Sequence, residues 1–189
     1  MADPKVYTIG HSTRPIDAFV ALLREHGIAT LVDVRTVPRS RRNPQFERER
    51  LECSLADAGI EYRHAASLGG LRRPTKSSTN AGWRNASFRG YADHMQTQEF
   101  VDAVDALAAL AAERTPAIMC AEAVPWRCHR SLIGDALLVR GIEVIDIISE
   151  TRVTRHTLTR FARVEGTRIT YPPEPSAMGL DPDGPAGGE

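Results

Sequence analysis

Val6-Tyr7-Thr8-Ile9-Gly10, then Pro15-Ile16 with Phe19, Val20 and Leu23, then Gly27, then Thr30-Leu31-Val32-Asp33-Val34: the fold is decided by this opening stretch. Its first run is short, rich in β-branched and aromatic residues and closed by a glycine, which reads as a buried strand. Ile16, Phe19, Val20 and Leu23 recur at helical spacing, with Pro15 where a helix starts and Gly27 where it stops. Thr30 to Val34 is a second strand. A strand, a helix and a strand in that order begin an α/β layered fold.

The alternation continues outward. Residues 46–57 suit a helix with Phe46, Leu51, Leu55 and Ala58 inward and Gly59 as its stop, and Ile60 to His64 is a third, weaker strand. Residues 66–90 read as a long loop containing Gly69, Gly70 and Pro74, and Tyr91 to Met95 as a short helical turn. Phe100, Val104, Leu107 and Ala111 mark an amphipathic helix, and Pro116 to Ala121 a fourth strand. Cys128 to Arg140 reads as a helix stopped by Gly141, and Ile142 to Ile148 as a fifth strand. Segments around Glu165-Gly166 suggest a small hairpin within 158–171. From Pro172 onward, 9 of 18 residues are proline or glycine, so a disordered tail is expected over 172–189. The expected fold class is therefore α/β: three layers, with a mostly parallel sheet of about five strands and flanking helices, in one domain over 1–171.

The chain of 189 residues is 42% hydrophobic and 25% charged, ordinary for a globular domain. It has no apolar run of about 18 residues, so no membrane span is expected. Its first residues lack the apolar core of a signal peptide. Three cysteines are too few for a disulfide framework, and a reducing, cytoplasmic setting is expected. The net charge of zero conceals a basic block: residues 35–90 hold 12 basic and 5 acidic groups, net +7. Of the 24 basic residues all but Lys5 and Lys76 are arginine, the side chain that forks onto carboxylates and phosphates. A codon preference explains arginine over lysine, but not the clustering.

Parallel sheets place ligands at the carboxyl ends of their strands. Those ends carry His11, Ser12 and Arg14; Asp33 with Arg35, Arg39, Arg41 and Arg42; His64; and Cys120-x-Glu122-x5-Cys128-His129-Arg130. Residues two apart in a strand face the same way, so Cys120 and Glu122 are expected to share a face, and Cys128 opens the next helix, where backbone N–H groups favour a thiolate. Three readings stay open. Cys128 is an activated nucleophile, with Glu122 or a histidine, His129 among the candidates, as proton carrier; Cys120, Glu122 and Cys128 with a histidine hold a divalent metal such as zinc; or Cys120 and Cys128 form a redox pair. The bland reading is two buried core cysteines. The arginine loop, constrained by Pro38 and Pro44, suits an anion, with His11, Ser12, Asp33, Arg35, Arg39 and Arg130 as candidate ligand-binding residues; the bland reading is a solvated surface loop. Asp33 is also a candidate to orient His11 or Arg35 or to act as a base, and equally reads as a strand-end cap. Trp83, Arg84, Phe88, Arg89 and Tyr91 interleave aromatic and cationic groups, as a base-stacking surface or a lid does. His26 and His156 read as ordinary surface or helix-end histidines, and Cys53 as buried.

Thr8-Ile9-Gly10-His11-Ser12, Asp33-Val34-Arg35 with Pro38-Arg39-Ser40, Leu68-Gly69-Gly70-Leu71-Arg72, Phe88-Arg89-Gly90-Tyr91-Ala92 and Cys120-Ala121-Glu122 with Cys128-His129-Arg130 together resemble the bacterial domain-of-unknown-function family 488, over roughly residues 5–171. The resemblance implies a compact α/β domain of prokaryotic cytosolic type and supplies no reaction. The expected function is an enzyme acting on a phosphorylated or nucleotide-like substrate. A nucleic-acid-associated module and a metal-binding or thiol redox domain are the alternatives, and the expected partner is a phosphate-bearing or other anionic ligand, with no membrane.

Overall fold

The computed structural model describes residues 4–174; residues 175–189 of the expected tail lie outside the described residues. The elements are β1 (Lys5–Gly10), α1 (Ile16–Glu25), β2 (Thr30–Asp33), α2 (Arg48–Asp57), β3 (Glu61–His64), α3 (Ala86–His94), α4 (Gln98–Glu113), β4 (Pro116–Cys120), α5 (Arg130–Leu138), β5 (Glu143–Ser149) and β6 (Arg152–Arg155), followed by a small hairpin of β7 (Arg163–Glu165) and β8 (Arg168–Thr170). Six strands form one sheet in the order β3-β2-β4-β1-β5-β6, all parallel except β6, which pairs antiparallel with β5. The sixth strand escaped the sequence reading because Arg152-Val153-Thr154-Arg155 is short and half charged, as an edge strand tolerates.

Alternate residues of the central strands face opposite layers. Tyr7, Ile9, Leu31, Ala117 and Met119 join Phe19, Leu22 and Leu23 of α1 and Leu51 and Leu55 of α2 in one core. Val6, Val32, Ile118 and Cys120 join Tyr91, Phe100, Val104, Leu132 and Ile133 of α3, α4 and α5 in the other. The three layers are thus α1/α2, sheet, α3/α4/α5. The connection leaving β1 passes through α1 on one face toward β2, and that leaving β4 passes through α5 on the other face toward β5. Neighbouring strands whose connections depart oppositely leave a crevice at their carboxyl ends.

Most of the expected loop 66–90 is pinned to the domain. The Asp93 carboxylate on α3 accepts from Thr75 N and Oγ1, Ser78 Oγ and Asn80 Nδ2 at 2.6–3.1 Å. Trp83 packs against Phe88, Phe161 and Tyr171, and the Tyr91 hydroxyl donates to Leu68 O, so these aromatics knit the loop to the core instead of forming an open stacking surface. Cys53, expected inside, is exposed on α2.

His156 also departs from its expected surface place. Its side chain is only 9% exposed, with Nε2 3.0 Å from Asp135 Oδ1 and Nδ1 3.4 Å from Asp146 Oδ2. Tyr171 Oη donates to Asp135, and Thr8 Oγ1 to Asp146. Burial alone lowers the imidazole pKa, but hydrogen bonds and charge from the two carboxylates outweigh it and raise it to about 9. A raised folded-state pKa gives stability that is complete below the unfolded value near 6.5 and lost as pH rises through 9. The stability advantage of the wild type over His156→Gln is therefore expected to shrink between those pH values by about 3 kcal/mol. Urea unfolding of both proteins across that window checks this, and a pH-independent difference contradicts it.

Candidate functional site

A cleft of about 380 Å³ opens at the carboxyl ends of β2 and β4. Its walls are Arg35, Thr36, Val37 and Arg39 after β2, Gly70 and Leu71 of the long loop, Ser87 and Phe88 of α3, and residues 120–122 and 127–129 around the β4–α5 connection. Cys120 and Cys128 are almost entirely buried at its floor, with their sulfurs 2.6 Å apart.

Three groups set the charge of that pair. Cys120 faces the cleft floor from the last position of β4, and burial pushes its thiol well above the ordinary range. The close contact with Cys120 is the main cause that draws the Cys128 thiol well below the ordinary range, against the opposing effect of burial. His129 adds to it: Nδ1 lies 3.4 Å from Cys128 Sγ, while Nε2 lies 2.9 Å from Val34 O. The Val34 carbonyl holds the proton on Nε2, leaving Nδ1 as the nitrogen that faces the Cys128 sulfur. Arg130, fully buried, donates from Nε to Cys120 Sγ at 3.1 Å, from Nη2 to Glu122 O at 2.6 Å and from Nη1 to Thr8 Oγ1 at 3.3 Å.

Cys128 lies just ahead of α5 in extended conformation, with His129 as the helix N-cap, so its thiolate rests on side chains and not on the first-turn amides that the sequence suggested. Gly70 is pressed against the His129 ring so closely that a Cβ there would overlap it, a contact only glycine permits.

The other expected residues fall into two groups. Arg35 and Arg39 reach the cleft wall. His11 and Asp33 lie behind it, braced to Arg35. Asp33 accepts from Arg35 Nε at 2.9 Å and Nη2 at 2.6 Å and from Tyr62 Oη at 2.8 Å, which saturates it and removes it as a base. His11 donates from Nδ1 to Ser12 O, stacks on Phe46 and meets Arg35 Nη1 with Nε2; burial holds its pKa down to about 4. Ser12 adopts φ 48° and contributes backbone pairing to Ala121 O rather than a cleft wall. Glu122 lies beyond the end of β4, exposed at the rim with Oε1 turned to its neighbour Ala123 N, so it does not share a face with Cys120. Cys120, Glu122 and Cys128 consequently form no metal-ligand shell: a guanidinium stands at the sulfurs where a cation would sit. Among the described residues no three His, Cys, Asp or Glu side chains are grouped as ligands would be. Thr8, Asp135, Asp146 and His156, which extend the polar chain from Arg130 across the sheet, had no local signal in the sequence.

Fold and cleft together define a three-layer α/β protein with a paired-cysteine floor at its strand ends. Residues 15–137 match the family described as Domain of unknown function DUF488, and the chain belongs to that family. The match runs from the residue before α1 through most of α5 and so contains both cysteines, His129 and Arg130. No curated protein and no solved structure is found to match the chain. No helix among the described residues is long and apolar enough to cross a membrane.

Iodoacetamide is expected to alkylate Cys128 at a rate that changes little between pH 5 and 8, whereas an ordinary thiol gains about tenfold per pH unit over that range. Cys120→Ala, which removes the main cause of the lowering, is expected to restore a rising profile. Peptide mapping of the labelled protein, with exposed Cys53 as internal reference, measures both; a steep wild-type profile contradicts the thiolate.

Proposed function

We propose that the protein is a cysteine-dependent enzyme acting on a small phosphate-bearing or nucleotide-like substrate. The observation that carries this reading is Cys128 Sγ at the floor of a cleft, backed by His129 Nδ1, beneath two exposed arginines at the rim, Arg39 and Arg127. Neither arginine has a carboxylate partner among the described residues, unlike Arg35. Unpaired guanidiniums beside an opening favour a multivalent oxyanion. Val37, Leu71 and Phe88 offer an apolar wall on which a base or another hydrophobic body rests.

The chemistry follows from the positions. Arg39 and Arg127 hold the anionic group, and the Cys128 thiolate attacks an electrophilic centre next to it. His129, having taken the thiol proton on Nδ1, returns it to the leaving group. Glu122 at the rim is placed to accept a proton from the substrate instead of from Cys128. Arg130 stays below, holding the Glu122 and Ala123 carbonyls and with them the connection that carries Arg127.

Inorganic phosphate or a nucleoside monophosphate is expected to slow alkylation of Cys128 in the wild type and to give no protection in an Arg39→Ala/Arg127→Ala variant. Once a turnover assay exists, Cys128→Ser is expected to lose at least about a hundredfold in kcat. Alkylation that no phosphate-bearing compound slows removes the reading. A second reading, binding of nucleic-acid backbone, is favoured by a broad groove where Arg39, Arg41, Arg48 and Arg50 outnumber Glu47 and Glu49, and which joins the cleft at Val37 and Arg39. It requires oligonucleotide affinity that falls steeply between about 50 and 200 mM salt, and no binding at the lower salt removes it.

A further inference from the structure

The sulfurs of Cys120 and Cys128 stand 2.6 Å apart, while a disulfide bond measures about 2.05 Å, so about half an ångström of closure separates the thiol pair from a covalent one. Both sulfurs line the cleft floor, which opens to solvent between the arginine loop and the long loop. The connection between them, residues 121–127, is held at both ends: Glu122 O and Ala123 O by Arg130, and Cys128 N by Pro125 O. The pair is therefore kept in register by the fold. Cys53 is exposed on α2 and takes no part in it.

We infer that Cys120 and Cys128 form a reversible disulfide that makes the cleft floor a two-electron redox couple, with a hydroperoxide as oxidant and a small dithiol as reductant. The inference rests on Cys128 being the reactive sulfur of the proposed function. In the first step the Cys128 thiolate attacks the terminal oxygen of the hydroperoxide. An S–O bond forms, the O–O bond breaks, the sulfur is oxidised by two electrons to a sulfenic acid, and the alkoxide or hydroxide leaves and takes a proton from His129. In the second step Cys120 attacks Cys128 Sγ. The S–S bond forms, the S–O bond breaks, and hydroxide leaves and is protonated to water by the thiol proton of Cys120. Arg130 Nε, already 3.1 Å from Cys120 Sγ, stabilises negative charge on that sulfur once Cys128 no longer carries it. A dithiol reverses the state by exchange, becoming oxidised as both cysteines return to thiols. The disulfide removes the nucleophile, so oxidation switches the proposed activity off and reduction switches it on.

The test uses the full chain carrying Cys53→Ser, treated with a small molar excess of hydrogen peroxide and followed by intact mass and peptide mapping. The expected result is a loss of about 2 Da, a peptide link between Cys120 and Cys128, and recovery with dithiothreitol. In a Cys53→Ser/Cys120→Ser variant, dimedone is expected to trap a sulfenic acid on Cys128, which otherwise proceeds to the sulfinic acid. If that variant does not fold, the mass shift of the Cys53→Ser protein decides. Oxygen addition to Cys128 with Cys120 still free overturns the inference. So does a protein unchanged by peroxide whose Cys128 is still rapidly alkylated by iodoacetamide, and in that case the reactive thiolate stands. A Cys128 that neither oxidises nor alkylates overturns both.

Discussion

A buried guanidinium holds this site together. Arg130 is the largest of the fully buried side chains, and a charge removed from water is costly unless every donor is used and an opposite charge is near. Its donors go to Cys120 Sγ, Thr8 Oγ1 and the carbonyls of Glu122 and Ala123, and no carboxylate stands among these partners. The cysteine pair stands beside it instead: Nε donates to Cys120 Sγ, and the positive charge favours the ionised form of Cys128.

The chain continues beyond the sulfurs. Thr8 accepts from Arg130 and donates to Asp146, which faces His156, which faces Asp135, which accepts from Tyr171. Charge alternates along this path: guanidinium, carboxylate, imidazolium, carboxylate. Each buried ion is flanked by an opposite one or by a hydrogen-bonding hydroxyl, which is the condition for keeping so many of them out of water. The sheet supplies the geometry, since Thr8 of β1 and Asp146 of β5 are register partners and Cys120 of β4 flanks β1 on its other side.

Much of the site could be read in the sequence because it is local. Cys120, Cys128, His129 and Arg130 fall in one strand–loop–helix unit, and strand ends are where α/β folds bind ligands. One departure from the sequence reading is local and the others come from long-range packing. Residues 86–90 read as loop, yet α3 begins at Ala86 because the Asn85 side chain caps it, accepting from Ser87 N at 2.8 Å. Gly90 inside that helix reads as a breaker, but it is required there because the Arg72 and Arg73 backbone lies against it. Asp33 resembled a base until Arg35 and Tyr62 were seen to occupy both of its oxygens.

The sequence by itself determined the alternation of strands and helices, the three-layer class, the family resemblance and the closeness along the chain of Cys120, Cys128, His129 and Arg130. All of these are written in hydrophobic period and in residues close along the chain. Tertiary structure alone decided that the two sulfurs meet beside a buried guanidinium, that Glu122 turns away, that His156 is buried between two aspartates and that the arginines divide into braced and open ones. Those outcomes depend on desolvation and on partners as much as 138 positions apart, as Thr8 and Asp146 are. Neither has a local signature, because a side chain's environment is set by what folds against it.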